Sequence, residues 1–156
     1  MARINVAVNP IYLSDQHLVA ESVEITMITG GLRMHNYKIK GEVPARFPMG
    51  KGHINFFKNK LLYLSIRLAE VNAEMIRRGF KPGTHINLAE FPEELHGAWN
   101  PDWPDTRLIR DRVVDRLRNP KSGKVGKDYH RHYGVVLGEK IDKFCDDLWH
   151  SELFYV

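Results

Sequence analysis

Residues 59–82 read NKLLYLSIRLAEVNAEMIRRGFKP. Leu61, Leu62, Leu64, Ile66, Leu68, Val71, Met75 and Ile76 recur there at helical spacing and form a broad apolar stripe. Asn59 is suited to cap the helix, Gly79 falls where a left-handed residue ends one, and Pro82 follows as a stop. A helix with one apolar side must bury it against other elements, and the chain supplies two more of similar length.

The first begins at Ser14 or Asp15, either of which can cap it, and runs to about Met34, with Gly30-Gly31 weakening or bending its end. The other starts after Pro104-Asp105 and runs to about Arg118, closed by Pro120. Its Leu108, Ile109, Val113, Val114 and Leu117 are expected inward and its five arginines mostly outward. Met1 to Val8 alternate weakly and suggest an extended segment, which Asn9-Pro10 interrupts. Gly41, Pro44, Pro48 and Gly50 make 36–51 a loop, and 80–104, rich in Pro, Gly and aromatics, reads as irregular but packed. A basic loop, 121–127, leads into Tyr129-His130-Arg131-His132-Tyr133, and the acidic tail 139–156 is amphipathic enough for one more short helix. The fold class expected is mainly α, a single compact domain of three principal helices joined by long irregular loops. The domain proper is assigned to 1–138, with 139–156 as an acidic extension packed on it.

A chain of 156 residues buries one core but is short for two. No apolar run approaches the roughly 20 residues a membrane span needs, and no secretory signal opens the chain, so a cytoplasmic protein is expected, in a host cell if the source is viral. Cys145 is the only cysteine, which rules out a disulfide within the chain. The net charge of +4 is unevenly spread: 33–60 and 107–132 carry +6 each, leaving −8 for the remainder. Two concentrated basic stretches suit a polyanionic partner on one side, although solvated helix faces would give the same pattern.

No phosphate-binding glycine loop, paired-cysteine motif, His-Glu-x-x-His helix or nucleophile elbow is present, and the eight histidines lack metal-ligand spacing. Neither a metal nor a cofactor is expected. On the first helix, His17, Ala20, Glu21, Glu24 and Gly31 fall on one face, opposite Leu18, Ser22 and Ile25. A carboxylate and an imidazole among small residues can line a site, but the same acids can equally be solvated, and spacing does not decide. At the N-terminus, Ala2 is small enough to permit removal of Met1. That would leave an α-amine with a reference pKa of about 7.7–8.0 against about 10.4 for lysine. Its neutral fraction at pH 7 is then roughly a few hundred times that of a lysine, and a neutral amine is what Schiff-base chemistry requires.

The run Ala2-Arg3-Ile4-Asn5, then Asp15-Gln16-His17-Leu18, Ala20-Glu21 and Glu24, resembles the pyrimidine-dimer DNA glycosylases of the phage endonuclease V type. The resemblance continues through Gly30 to His35, Gly52-His53-Ile54-Asn55-Phe56-Phe57, Lys60-Leu61, Arg78-Gly79-Phe80, Pro92-Glu93-Glu94, Gly97 and Tyr129 to Gly134. It implies a DNA-repair glycosylase with abasic-site lyase activity. The α-amine of Ala2 would attack C1′ and Glu24 would be the catalytic acid. Arg3, Gln16, His17, Arg33, His35 and Arg131 match positions that bind DNA in the family. The implied partner is damaged double-stranded DNA, and a monomer is expected.

Two positions depart from the family's dimer-recognising pattern. Val23 and Met27 stand where it has arginines, which weakens the grip on kinked phosphates and removes cations that would hold Glu24 ionised. Two other readings therefore accompany the first: a glycosylase for a different modified pyrimidine, and a catalytically silent DNA-binding protein.

Overall fold

The structure is a computed structural model and describes residues 3–119 and 126–154. Its longest elements are α1 (Asp15–Met34), α3 (Leu61–Arg77) and α4 (Trp103–Arg118), in a mainly α fold. The short helices α2 (His53–Phe56) and α5 (Gly126–Tyr129) and the ten-residue α6 (Ile141–His150) complete the helical set among the described residues.

Ser14 caps α1, its Oγ accepting from the His17 N–H at 3.2 Å. The helix runs through Gly30-Gly31 without ending. Asn36 and Tyr37, both at positive φ, turn the chain away. Leu18, Ile25, Ile28 and Leu32 on α1 meet Leu61, Leu64, Leu68 and Val71 on α3 in the core.

The start of α3 differs from expectation. Lys60, not Asn59, is the capping residue, and no side chain caps the helix. Asn59 instead turns its carbonyl to the Gly97 N–H, 3.0 Å away. A Cβ on Gly97 would sit 2.2 Å from that oxygen, so no other residue fits without moving the backbone. The buried face of α3 also differs. Ile66 and Ile76 stand out in solvent at 38% and 63% exposure, while Arg67, Asn72 and Glu74 are buried. Polar residues take those places because they have partners inside.

The principal pair is Arg67 with Glu21 of α1, both fully buried. Arg67 Nε and Nη2 donate to the two carboxylate oxygens at 2.6 and 2.9 Å, and Nη1 donates to the Val8 carbonyl at 2.7 Å. Asn5 Nδ2 adds a bond to Glu21 at 2.9 Å. Both α1 and the segment before it are thereby fixed to α3.

That segment is not extended as expected. Val6 N–H bonds back to Ile4 O and Val8 N–H to Asn5 O, with Ala7 at φ 55°. Tight turns satisfy its backbone because Ile4, Val6 and Val8 all point into the core and no neighbouring strand is present among the described residues to pair with it.

α4 begins at Trp103, ahead of Pro104-Asp105 rather than after them, because Asp102 and Asp105 form a reciprocal capping box. Its faces also need one exchange. Leu108 is 46% exposed, and Arg110 is fully buried, donating from Nη1 to Trp149 O at 2.8 Å and Ser151 O at 2.6 Å at the end of α6. The tail does form a helix, as expected, and it packs along α4 through Cys145 and Leu148. Pro120 and most of the basic loop after it lie outside the described residues. β1 (Arg131–His132) and β2 (Val135–Val136) make a small antiparallel hairpin, with Tyr133 and Gly134 in its turn at φ 52° and 79°.

Replacing one partner of the Glu21–Arg67 pair should cost about 3–5 kcal/mol of stability, because it strands a buried charge. Urea unfolding of Glu21→Gln measures this. Glu21→Met combined with Arg67→Met should recover most of the loss.

Candidate active site

Glu24 projects from the third turn of α1, partly exposed. Burial of its carboxyl pushes the pKa above the usual carboxylate value, and the nearby Arg3 guanidinium opposes that rise. Arg3 also donates from Nε to Met49 O at 3.1 Å, which ties it to the 36–51 loop.

The segment carrying Arg3 is pinned by His53 at the start of α2. Its Nε2 lies 3.0 Å from the Ile4 N–H, and its Nδ1 lies 2.9 Å from Pro48 O. Only one neutral tautomer satisfies both contacts: Nδ1 donates to Pro48 while Nε2 accepts from Ile4. Burial holds His53 down at about 4, with Arg3 and Arg112 acting the same way against the bond to Pro48. Phe47 and Phe57 pack against the imidazole edge-on, at 5.1 and 5.3 Å. Gly52 allows this loop to close, since a Cβ there would meet Pro44 at 2.8 Å.

His17 lies one helical turn before Glu21. Burial lowers its pKa to about 3, and His130, Arg112 and Arg116 add to the effect. Its Nδ1 is buried and has no hydrogen-bond partner among the described residues, and its ring is 4.9 Å from that of His130. Arg112 is itself partly buried, with Arg116 and Arg3 near enough to lower its pKa further. Arg3, Arg112 and Arg116 therefore make one positive field beside Glu24 and His17.

Gln16 uses both ends of its amide on the backbone after α5. Its Nε2 donates to Tyr129 O at 2.9 Å, and its Oε1 accepts from the Arg131 N–H at 2.9 Å. Asp15, the neighbouring residue, accepts from the N–H groups of Tyr133 and Gly134 at 3.2 and 2.8 Å. The 129–134 cluster is thus seated on the first turn of α1. Within it, Tyr133 donates its hydroxyl to Glu74, and Arg78 lies 4.7 Å over the tyrosine ring. Arg131 stays exposed, with its guanidinium 3.3 Å from Gly134 O.

The expected site residues do not all converge. Arg3, His17 and Glu24 share one electrostatic environment. Arg33 lies at the other end of α1, where Nη2 donates to Glu90 at 2.9 Å, and His35 follows as the C-cap. Ala2 lies outside the described residues. The sequence reading names His53 and His130 only within the blocks of resemblance and gives them no role, and it does not single out Arg112 or Arg116. The four-residue spacing of Arg112 and Arg116, which places both on one face of α4, was the available signal. Among the described residues, no three His, Cys, Asp or Glu side chains group so as to hold a metal ion, and no helix is long and apolar enough to cross a membrane.

Residues 1–88, a span that includes α1, α2 and α3, match the family described as pyrimidine dimer DNA glycosylase. The chain belongs to that family. It is a DNA-repair glycosylase, and its substrate is DNA. Arg112, Arg116 and the 129–134 cluster lie beyond the matched residues.

His53 makes the hold on the N-terminal segment pH-dependent. Its pKa is about 4 folded, against about 6.5 unfolded, so the unfolded chain binds the extra proton first. The stability it contributes is complete above pH 6.5 and is lost as pH falls towards 4, when Nε2 gains a proton and can no longer accept from Ile4. Urea midpoints measured from pH 7 to pH 4 should fall, and His53→Gln should reduce that slope.

Proposed function

We propose that the protein excises the base of a cyclobutane pyrimidine dimer and then cuts the strand at the abasic site, using the α-amine of Ala2 as nucleophile. The observation that supports this best is Glu24, a carboxyl with raised proton affinity beside Arg3, on the helix that the family match covers. Raised proton affinity suits a carboxyl that must take up and give back a proton, and a neighbouring cation favours its ionised form.

In the first step the amine lone pair forms a bond to C1′ and the glycosidic bond breaks, its electron pair leaving with the base. Loss of the amine proton and opening of the sugar ring give an imine, with the ring oxygen protonated. Loss of a C2′ proton then expels the 3′ phosphate by β-elimination, and water releases the amine. Glu24 is assigned the proton transfers at the ring oxygen and C2′, and its negative charge stabilises the cationic sugar. Arg3, Arg112, Arg116 and Arg131 are assigned to phosphates, which carry most of the affinity and make it salt-dependent. Gln16 acts by holding the 129–131 backbone in place, and Arg33 and His35 mark a second contact region at the end of α1. The enzyme acts as a monomer in the cytoplasm.

One observation favours a second substrate. Val23 and Met27 flank Glu24 with 51% and 64% exposed apolar side chains. A different modified pyrimidine, one that does not demand two phosphate clamps on α1, suits that surface.

The test is incubation with ultraviolet-irradiated, abasic and undamaged duplexes in the presence of borohydride, which reduces an imine to a stable adduct. A covalent complex with irradiated DNA is the expected result, with mass spectrometry placing it on Ala2. An adduct with abasic DNA alone points to the other pyrimidine. No adduct on any duplex, from protein shown to lack Met1, overturns the covalent mechanism. Glu24→Gln should lower base release by roughly 10²–10⁴-fold while leaving DNA binding nearly intact.

A further inference from the structure

The outer face of α1 carries Ala20, Val23, Met27, Gly30 and Met34, spaced so that they fall in one line about 16 Å from Val23 to Met34. Val23, Met27 and Met34 are 51%, 64% and 81% exposed, and none is among the core residues. Three large apolar side chains in a row on a helix's solvent side are not explained by the fold. The strip also has a fixed neighbourhood. Glu24 directly follows Val23, and Met27 lies one turn beyond Glu24. Arg3 lies near enough to Glu24 to act on its carboxyl, and Arg112 lies near Arg3.

This arrangement restricts what can cover the strip. A permanent protein partner seated on Val23 and Met27 would also cover Glu24 and close the site to its substrate. The occupant must therefore arrive with the DNA. Phosphates are served by cations, and the strip carries none, whereas an apolar edge suits the faces and edges of unstacked bases. Proteins that kink DNA insert methionine and other apolar side chains at a base step, where the side chain replaces part of the stacking that the bend removes. A glycosylase faces the same loss of stacking in exposing C1′.

We propose that Met27, backed by Val23, is a wedge that enters the base stack beside the damaged nucleotide and holds the duplex open while Arg3 and Arg112 grip the backbone. The inference rests on the placement of the reaction at Glu24 given above. Met27 is a positioning and specificity-determining residue: it favours duplexes already weakened by a lesion and adds no counterion release.

The test uses a duplex with a tetrahydrofuran abasic analogue, which cannot form an imine, and 2-aminopurine at the adjacent base. Binding by the wild type should raise 2-aminopurine fluorescence as the base unstacks. Met27→Ala, and Met27→Gln, which keeps the length, should lose most of that rise and bind about tenfold more weakly. The slope of log K against log salt and the affinity for undamaged duplex should not change. Arg3→Gln, in contrast, should flatten the slope by about one. Wild-type fluorescence and affinity in both Met27 variants would overturn the wedge. Borohydride trapping of the wild type on an abasic duplex separates this from the reading on which it rests. An adduct without any fluorescence rise overturns the wedge alone, and a rise without an adduct overturns the covalent mechanism and leaves the wedge standing.

Discussion

The bidentate contact between Glu21 and Arg67 sits where three parts of the chain meet. Two charges taken out of water attract each other strongly, but that gain is largely offset by desolvation, so the pair is better understood as fixing geometry than as adding stability. The contact is directional. Arg67 meets both oxygens of Glu21 and also the Val8 carbonyl, and Asn5 completes the carboxylate. Sliding α1 against α3, or lifting the N-terminal segment, would leave one of these groups buried without a partner. The rotation of α1 is thereby set, and with it the direction in which Glu24 points.

Around this fixed point the site brings together basic groups whose charged forms burial disfavours. Arg112 and His17 both have their pKa values lowered by burial and by like charges. Such a site is unfavourable by itself and becomes favourable when a polyanion arrives. His17 remains neutral under these conditions and so offers a hydrogen bond without adding to the repulsion. Asp15, Gln16 and His17, three successive residues, face three different tasks: Asp15 seats the hairpin turn, Gln16 holds the backbone before it, and His17 lies against His130.

The helices were readable because their signals are local. Ser14 caps α1, Gly79 at φ 86° follows α3, and apolar spacing marks most of the core residues between. Where the reading went astray, a distant partner decided. Nothing near Arg110 or Arg67 foretells that each is buried, since the groups that receive them lie in α6 and α1. Asn59 has the chemistry of a cap but is used by Gly97, 38 residues on. In the same way Glu21 and Glu24, alike in sequence, separate into a buried structural acid and a partly exposed one once Arg67 is in place. Glu24 and Arg3 were accessible through the resemblance, whereas His53 and Arg112 act through space and leave only faint marks in spacing.

The Ala7 carbonyl accepts from the Phe154 N–H at 3.1 Å and lies 3.5 Å from Arg110 Nη2. Together with His53 on Ile4 and Arg67 on Val8, every one of these restraints on the first residues comes from far along the chain. At a synthesis rate of ~5–20 residues per second, the segment emerges from the ribosome and waits roughly ten to thirty seconds for the last of these partners. Residues 4–8 therefore take their final geometry only after positions 53, 67, 110 and 154 have all been made, so the first part of this segment to be synthesised is among the last to be fixed.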